Sequence, residues 1–239
     1  MSDADKAFFT LHRDLPREGP GEAADVAWAA ETAGLSPRAE IADVACGPGG
    51  DIAALLAAAP EGHVTALDKT PHFAQAARVL RGEDPRVTVL CADMVRIMNT
   101  YDMIWCAGAV YFLGVTEALS LWRKSLKPGG VIAFSEPCWF GEARPAAAQA
   151  LFADYPAMTG AGGIDARVAA AGYETLATRR LSDTAWENYL TPLDARIAAL
   201  RPRADAALLT VLDEAAEEAA CWRAYGDAFG YQLLLVRPA

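Results

Sequence analysis

The chain has 239 residues, enough for one large domain or two small ones, and its 31 acidic and 21 basic residues give a formal net charge of −10. This balance disfavours partners bound through a phosphate backbone, so we expect no nucleic-acid substrate. Hydrophobic residues make up 53% of the chain, which is typical of globular proteins. No apolar run approaches the ~20 residues of a membrane span, and the acidic start does not resemble a signal peptide. We expect a cytoplasmic protein with no membrane partner.

The cysteines argue against a metal centre and a disulfide framework. Their number is odd, and no two of them form a CxxC pair. We therefore expect no metal ligands and no structural disulfide. The five are Cys46, Cys91, Cys106, Cys138 and Cys221.

Between residues 40 and 135, short apolar runs alternate with helical stretches. Most of the runs are continuously apolar, as expected for strands covered on both faces. Strand, helix and strand at this spacing form βαβ units, which predicts an α/β fold with a mostly parallel sheet and helices on both faces. The predicted strands are 40–46, 63–67, 87–91, 101–106 and 131–134, with helices at 51–59, 71–81 and 116–126.

The flanks of this segment are less regular. Residues 22–33 are predicted to form a lead-in helix, and residues 146–171 a helix broken at 159–163. Residues 183–225 contain two alanine-rich helical segments, placed between two further strands. The chain shows no repeat and no low-complexity linker, which favours one domain over residues 1–239. The two further strands are predicted at 173–181 and 231–236.

A glycine-rich turn, Gly47-Pro48-Gly49-Gly50, joins the first predicted strand to a helix. Its glycines let the backbone approach a ligand closely, and the N-terminus of the next helix offers free N–H donors. Doubly wound sheets bind ligands at such strand ends. The alternative is a tight turn that binds nothing.

Acidic residues follow the next two strands. Asp68 ends the second strand, 21 residues after Gly47, where an acid accepts hydrogen bonds from ribose hydroxyls in nucleotide-binding βαβ units. Asp93 follows the third strand, 25 residues beyond Asp68. A lone aspartate at a strand end is usually a cap or turn residue. Suitable groups at three successive strand ends favour a ligand site.

These segments resemble the class I S-adenosylmethionine-dependent methyltransferases. The similarity rests on VACGPGG at residues 44–50, on Asp68, on Ala92-Asp93-Met94 and on LKPGGVIAFSEP at Leu126–Pro137. The opening FFTLHRDLPREGPG also resembles a subgroup of uncharacterised bacterial methyltransferases. The resemblance implies a Rossmann-like, doubly wound sheet of seven strands, mostly parallel, with the last strand antiparallel beside the fifth. The implied layout is a cofactor-binding core at 40–136, an N-terminal lid and lead-in helix at 1–35, and a helical insertion at 183–225.

The resemblance also implies S-adenosyl-L-methionine as cofactor and assigns it binding residues. Asp43 would reach the amino group, Asp68 the ribose hydroxyls and Asp93 the adenine amino group. Residues 107–111 would face the sulfonium. The implied cofactor-binding residues are Asp43, Ala45, Cys46, Gly47, Pro48, Gly49, Asp68, Lys69, Ala92, Asp93, Met94, Ala107 and Tyr111.

The acceptor side carries fewer signals. Candidate catalytic residues are His12, Tyr111 and Glu136. A solvated arm is the alternative for His12 and a turn carboxylate for Glu136, while Tyr111 is the aromatic residue expected nearest the methyl group. Methyl transfer requires placement above all, and a general base only when the acceptor arrives protonated. The chain lacks the [D/N]PP[Y/F] motif after the fourth strand, so a small-molecule O, N or C acceptor remains. Candidate acceptor-binding residues are His12, Arg17, Trp139, Trp186 and Tyr189.

Two other functions stay open at this point. A nicotinamide-dependent oxidoreductase would use a G-x-G-x-x-G turn, but here Ile52 stands at the third glycine. A non-catalytic sensor or scaffold would keep the same cofactor residues. A homodimer is compatible with the sequence.

Overall fold

The computed structural model describes residues 2–239, so that only Met1 of the predicted domain lies outside the described part. Eight strands belong to one sheet. They are β1 (Glu40–Val44), β2 (His63–Asp68), β3 (Val87–Cys91), β4 (Tyr101–Cys106), β5 (Leu126–Trp139), β6 (Thr159–Gly160), β7 (Tyr173–Arg180) and β8 (Phe229–Pro238).

Seven of these strands run in the order β3-β2-β1-β4-β5-β8-β7, and the two-residue β6 pairs with β5 beside this path. β1 pairs in parallel with both β2 and β4, which places the reversal of strand order between β1 and β4. β8 is antiparallel to both β5 and β7. This arrangement confirms the predicted doubly wound fold with its last strand antiparallel beside the fifth. The short β6 is an addition to the seven predicted strands.

The helices cover both faces of the sheet and one end of it. They are α1 (Asp3–His12), α2 (Ala23–Ala33), α3 (Ile52–Ala58), α4 (Pro71–Arg81), α5 (Val115–Trp122), α6 (Ala146–Leu151), α7 (Ala161–Ala170), α8 (Asp183–Leu200) and α9 (Ala206–Tyr225). No helix among residues 2–239 is both long and apolar enough to cross a membrane.

Alternate strand residues point to opposite faces, because successive side chains of a strand do so. Ile104 and Phe134 pack with α5 and α7 on one face. Their neighbours Met103 and Ala133 pack with α2 and α3 on the other. A third cluster joins α1, α8 and α9 through residues such as Leu11. The helices that close the cavity described below therefore have a core of their own.

The structure differs from the sequence-based expectation at the N-terminus. The sequence indicates a lid or a solvated arm around His12, but His12 is the last residue of the helix α1. Ser2 and Asp5 form a reciprocal capping box that satisfies backbone donors at the start of this helix.

Two further boundaries also differ. β5 extends to Trp139, beyond the predicted end at Phe134, because antiparallel pairing with β8 continues as far as Trp139 and Phe229. The expected break at 159–163 consists of β6 followed directly by α7. Position 163 in α7 needs a glycine, because a Cβ there would lie 2.2 Å from Thr159 Oγ1.

Candidate active site

A cavity of about 590 Å³ opens at the carboxyl ends of β1, β2 and β4. This is where the strand order reverses, the usual ligand position in an open α/β sheet. Its volume is within the range of small-molecule sites, roughly 300–1,000 Å³. The strand ends line one half of the cavity, and α1, α8, α9 and β8 contribute to the other.

The glycine turn after β1 has an unusual backbone. Among residues 2–239, Ala45 is the only non-glycine residue with positive φ, at 56°. Gly47 follows with φ 54°. Such conformations are costly for a residue with a Cβ and are concentrated at ligand sites. The turn is held because Cys46 N donates to Leu67 O at 3.0 Å.

Asp68 links this turn to the end of β2. Its Oδ2 accepts from Gly47 N at 3.0 Å, and its Oδ1 accepts from Thr70 N at 2.7 Å. Each carboxylate oxygen can accept a further hydrogen bond. Asp68 also lines the cavity, so it can orient the turn and bind hydroxyl groups of a ligand at the same time.

Asp43 is a buried acid in the wall of the cavity. It is 3% exposed, and its Oδ2 has no hydrogen-bond partner among residues 2–239. Burial raises its pKa well above the usual range, and the nearby charges of Asp51 and Asp68 raise it further. A cationic or hydrogen-bond-donating ligand group would satisfy this carboxyl group.

Residues 13–22 join α1 to α2 and cross the cavity; we call them the strap. Arg17 donates to Asp51 Oδ1 at 3.1 Å, and Trp105 Nε1 donates to the other Asp51 oxygen at 3.0 Å. His12 Nδ1 lies 2.6 Å from Glu18 Oε2, which ties the end of α1 to the strap. Glu18 Oε1 is buried with no partner in the described chain.

The strap is also fixed to α8. Gly21 N donates to Ala185 O at 3.0 Å, and Asn188 Nδ2 donates to Gly21 O at 3.2 Å. These two bonds fix the strap backbone at Gly21, while Arg17 and Glu18 in the same segment line the cavity.

Three tyrosines and an acid line the other half of the cavity. They are Tyr111 after β4, Tyr189 on α8, Glu218 on α9 and Tyr231 on β8. Burial raises the pKa of Tyr111 to about 12, and the charge of Glu218 contributes to the shift. Burial also raises the pKa of Glu218, while nearby His12 lowers it.

Most of the implied cofactor-binding residues line the cavity. Three of them lie outside the lining. Gly49 packs against Ile52 and Ala77, Asp93 Oδ1 accepts from Val95 N at 3.1 Å, and Pro48 is buried in the turn. The ten that line it are Asp43, Ala45, Cys46, Gly47, Asp68, Lys69, Ala92, Met94, Ala107 and Tyr111.

The acceptor-side candidates divide in the same way. His12, Arg17, Tyr111 and Tyr189 line the cavity. Glu136 does not, because it lies inside β5 rather than after it. The Tyr155 hydroxyl donates to Glu136, and Arg167 Nη1 is 3.9 Å away. Burial raises the pKa of Glu136 to about 7.

The two tryptophan candidates belong to the apolar core beside the cavity. Trp139 packs edge-on against Phe152 and Phe229. Trp186 stacks on Trp222 with ring centroids 4.7 Å apart. Trp186 also contacts Tyr231, at 5.8 Å between centroids, so it supports a lining residue from behind.

Sequence reasoning missed Glu18, Glu218 and Tyr231 among the lining residues. Glu18 stood in a segment already recognised as a lid, next to His12 and Arg17. Tyr231 is the first residue of the predicted last strand, 231–236, and could have been weighed as a strand-end residue. Glu218 gave no signal, since several acids surround it on α9.

The residues give no sign of a metal site. No group of three or more His, Cys, Asp or Glu residues within 2–239 is arranged to hold a metal ion. The donors present in the cavity are carboxylates, phenols and backbone amides.

Comparison with known proteins agrees with this architecture. Residues 41–130 match the family model described as a methyltransferase domain. No curated protein matches the sequence. Among solved structures, similar folds include a SAM-dependent methyltransferase from Geobacter sulfurreducens in complex with S-adenosyl-L-homocysteine. It is 19% identical, with 98% of both chains covered and a TM-score of 0.81.

Two other solved structures are similar to a comparable degree. YjhP from E. coli is 20% identical, covers 98% of this chain and 100% of its own, and has a TM-score of 0.81. A SAM-dependent methyltransferase from Thiobacillus denitrificans, also in complex with S-adenosyl-L-homocysteine, is 18% identical. It covers 97% of this chain and 98% of its own, with a TM-score of 0.79. At these identities the likeness concerns the fold.

Proposed function

We propose that this chain, whose residues 41–130 match the model of a methyltransferase domain, is a class I S-adenosylmethionine-dependent methyltransferase that transfers a methyl group to a small-molecule acceptor. The observation that carries the proposal is the cavity at the switch point of the sheet. One half of it is built from strand-end acids and backbone, and the other from aromatic and acidic side chains. A cavity with two chemically different halves suits a reaction in which a methyl donor and an acceptor are held side by side.

The first half suits S-adenosylmethionine, which supplies an activated methyl group on a sulfonium sulfur when bound. Asp68 is placed to accept from ribose hydroxyls while it fixes the glycine turn. Asp43, with its buried and unpartnered oxygen, is placed to accept from an amino group. The positive-φ residues Ala45 and Gly47 bring backbone close to the ligand without a bulky side chain.

The protein contributes to the reaction mainly by placement. Holding two reactants in line supplies several kcal/mol, up to ~7–11 kcal/mol in well-aligned intramolecular reactions. The strap lines the cavity and is tied at both His12 and Asp51, which places it to limit the access of water to the reacting groups. The acceptor would lie among Tyr111, Tyr189 and Tyr231.

The proposal includes a small acceptor rather than a macromolecule. The cavity lies under the strap and among helices, whereas a nucleic-acid substrate would need a basic surface that the net charge of −10 disfavours.

Activity is tested with S-adenosylmethionine that carries a labelled methyl group and a panel of small amines, phenols, thiols and carboxylic acids. We expect label to appear in at least one product identified by mass spectrometry, and to be lost in Asp68→Ala. If the protein binds S-adenosylhomocysteine but transfers label to no compound of the panel, the result would contradict the enzyme proposal and favour a sensor.

A further inference from the structure

Glu218 is an acid in the cavity that the proposed function has not yet used. It lies on α9 and lines the cavity. Its carboxyl group forms no hydrogen bond or ion pair with another residue among 2–239. Its neighbour in the chain, Glu217, is exposed. An acid placed in this way is available to a ligand.

The surroundings of Glu218 are aromatic rather than cationic. Tyr111, Tyr189 and Tyr231 line the same half, and the negative charge of Glu218 contributes to the raised pKa of all three. His12 is the basic group whose charge lowers the pKa of Glu218, and the Nδ1 atom of its ring already contacts Glu18.

The remaining cations of the cavity are also occupied or displaced toward the cofactor half. Arg17 donates to Asp51 and to Gly19 O. Lys69 follows Asp68 and lies 5.7 Å from the centroid of the Phe112 ring. An anionic acceptor beside Glu218 would therefore meet like charge with little compensation, whereas a cationic one would meet opposite charge and aromatic rings.

We propose, building on the function proposed above, that the acceptor is a small amine, cationic at neutral pH, whose ammonium group binds Glu218 among the three tyrosines. The acid also offsets the repulsion that an ammonium group would feel beside a sulfonium. The sequence alone leaves O, N and C acceptors open. The Glu218 carboxylate favours a nitrogen acceptor, because an amine carries the positive charge that it would bind.

The chemical step balances with Glu218 as the base. The ammonium group gives one proton to the Glu218 carboxylate. The freed nitrogen lone pair then forms a bond to the methyl carbon while the carbon–sulfur bond breaks and its electron pair stays on sulfur. The products are the methylated ammonium ion and S-adenosylhomocysteine, and Glu218 releases its proton to solvent. Burial raises the pKa of Glu218, which makes it a stronger base than an exposed glutamate.

The test compares choline with its neutral isostere, 3,3-dimethylbutan-1-ol, by calorimetry on protein saturated with S-adenosylhomocysteine. The two probes share shape and hydroxyl group and differ in charge. Wild type is compared with Glu218→Gln, with Glu218→Asp as a charge-preserving variant, and with Glu217→Gln as a control at the adjacent exposed position.

We expect choline to bind about tenfold more tightly than the isostere, or better. The reason is that an ion pair between its ammonium group and Glu218 in a partly buried site contributes at least that ratio. Glu218→Gln should abolish the preference, while Glu218→Asp and Glu217→Gln should retain it. Equal binding of the probes, binding of neither, or a preference that survives Glu218→Gln would overturn the inference. Failure of S-adenosylhomocysteine to bind in the first place would instead count against the proposed function.

Discussion

Asp68 Oδ2 accepts a hydrogen bond from the backbone N–H of Gly47, 3.0 Å away and 21 positions earlier in the chain. The bond joins the ends of β1 and β2 and fixes the glycine turn at the angle that exposes its backbone to the cavity. Thr70 N donates to the other oxygen at 2.7 Å, so the carboxylate is held from two sides. Both hydrogen bonds are charge-assisted, the stronger kind.

Asp68→Ala should weaken the binding of S-adenosylhomocysteine at least about tenfold, or about 1.4 kcal/mol. It removes both the acceptor for a ligand hydroxyl and the bond that orients Gly47. Asp68→Asn should fall between Ala and wild type, since an amide retains one acceptor oxygen. Isothermal titration calorimetry measures the effect, with the exposed Glu61→Gln as control. An affinity unchanged in Asp68→Ala would remove Asp68 from the site.

Gly21→Ala and Arg17→Ala should weaken ligand binding by similar factors. A Cβ at Gly21 would lie 2.0 Å from Arg17 Nη2, so the arginine must leave its position against Asp51. Both changes therefore remove the same ion pair, and the double variant should resemble either single variant. Gly19→Ala is the matched control, because a Cβ there has nothing within 4 Å. Fully additive effects in the double-mutant cycle would show that Gly21 acts independently of Arg17.

Gly49→Ala should lower the free energy of unfolding by roughly 1–3 kcal/mol. Gly49 has φ +91°, and a Cβ would lie 2.9 Å from Ile52 Cδ1 and 3.2 Å from Ala77 Cβ. Gly114→Ala separates the two causes, since Gly114 has φ +86° but open space around it. Urea unfolding should show the larger loss for Gly49→Ala. Equal losses would mean that the packing against Ile52 carries no cost.

Glu136 should make stability depend on pH. Burial raises its folded-state pKa to about 7 from an ordinary value of 4.5, although Tyr155 and Arg167 partly oppose the shift. The folded protein therefore binds this proton more tightly than the unfolded chain. The stabilisation is fully present below pH 4.5 and is lost as the pH rises through 7. The whole effect is on the order of 3 kcal/mol.

Glu136→Gln cannot titrate, so its free energy of unfolding relative to wild type should rise between pH 5 and pH 8 by roughly 2–3 kcal/mol. Chemical unfolding at several pH values measures this difference. Glu174→Gln serves as control, because Glu174 is a half-exposed strand carboxylate paired with Arg237. A difference between Glu136→Gln and wild type that stays constant with pH would contradict the burial argument.

Local patterns predicted the centre of the fold well. Continuous apolar runs mark strands covered on both faces, and Asp68 follows from its distance to the glycine turn. The limits of β5 could not be predicted in the same way. Glu136 and Trp139 continue the strand only because β8, nearly 100 residues later, pairs with them. An acid inside a strand is normally a signal for its end.

The acceptor half of the cavity depends on long-range packing. Glu218 differs from Glu217 only in the face of α9 on which it lies, and the docking of α1 against α9 decides which face borders the cavity. Tyr231 reaches the site because the register of β8 places it opposite Pro137. The face of α9 on which Glu218 lies leaves no local pattern in the sequence. The place of Tyr231 at the start of the predicted strand 231–236 does not show which strand it pairs with.

The most direct test of the account is a calorimetric titration of the protein with S-adenosylhomocysteine, run beside NAD⁺ and NADH. The account predicts binding of S-adenosylhomocysteine with a dissociation constant on the order of micromolar or tighter, about −8 kcal/mol, and no binding of either dinucleotide. Binding of NAD⁺ or NADH alone would contradict it and make Asp68 a ligand of a dinucleotide ribose.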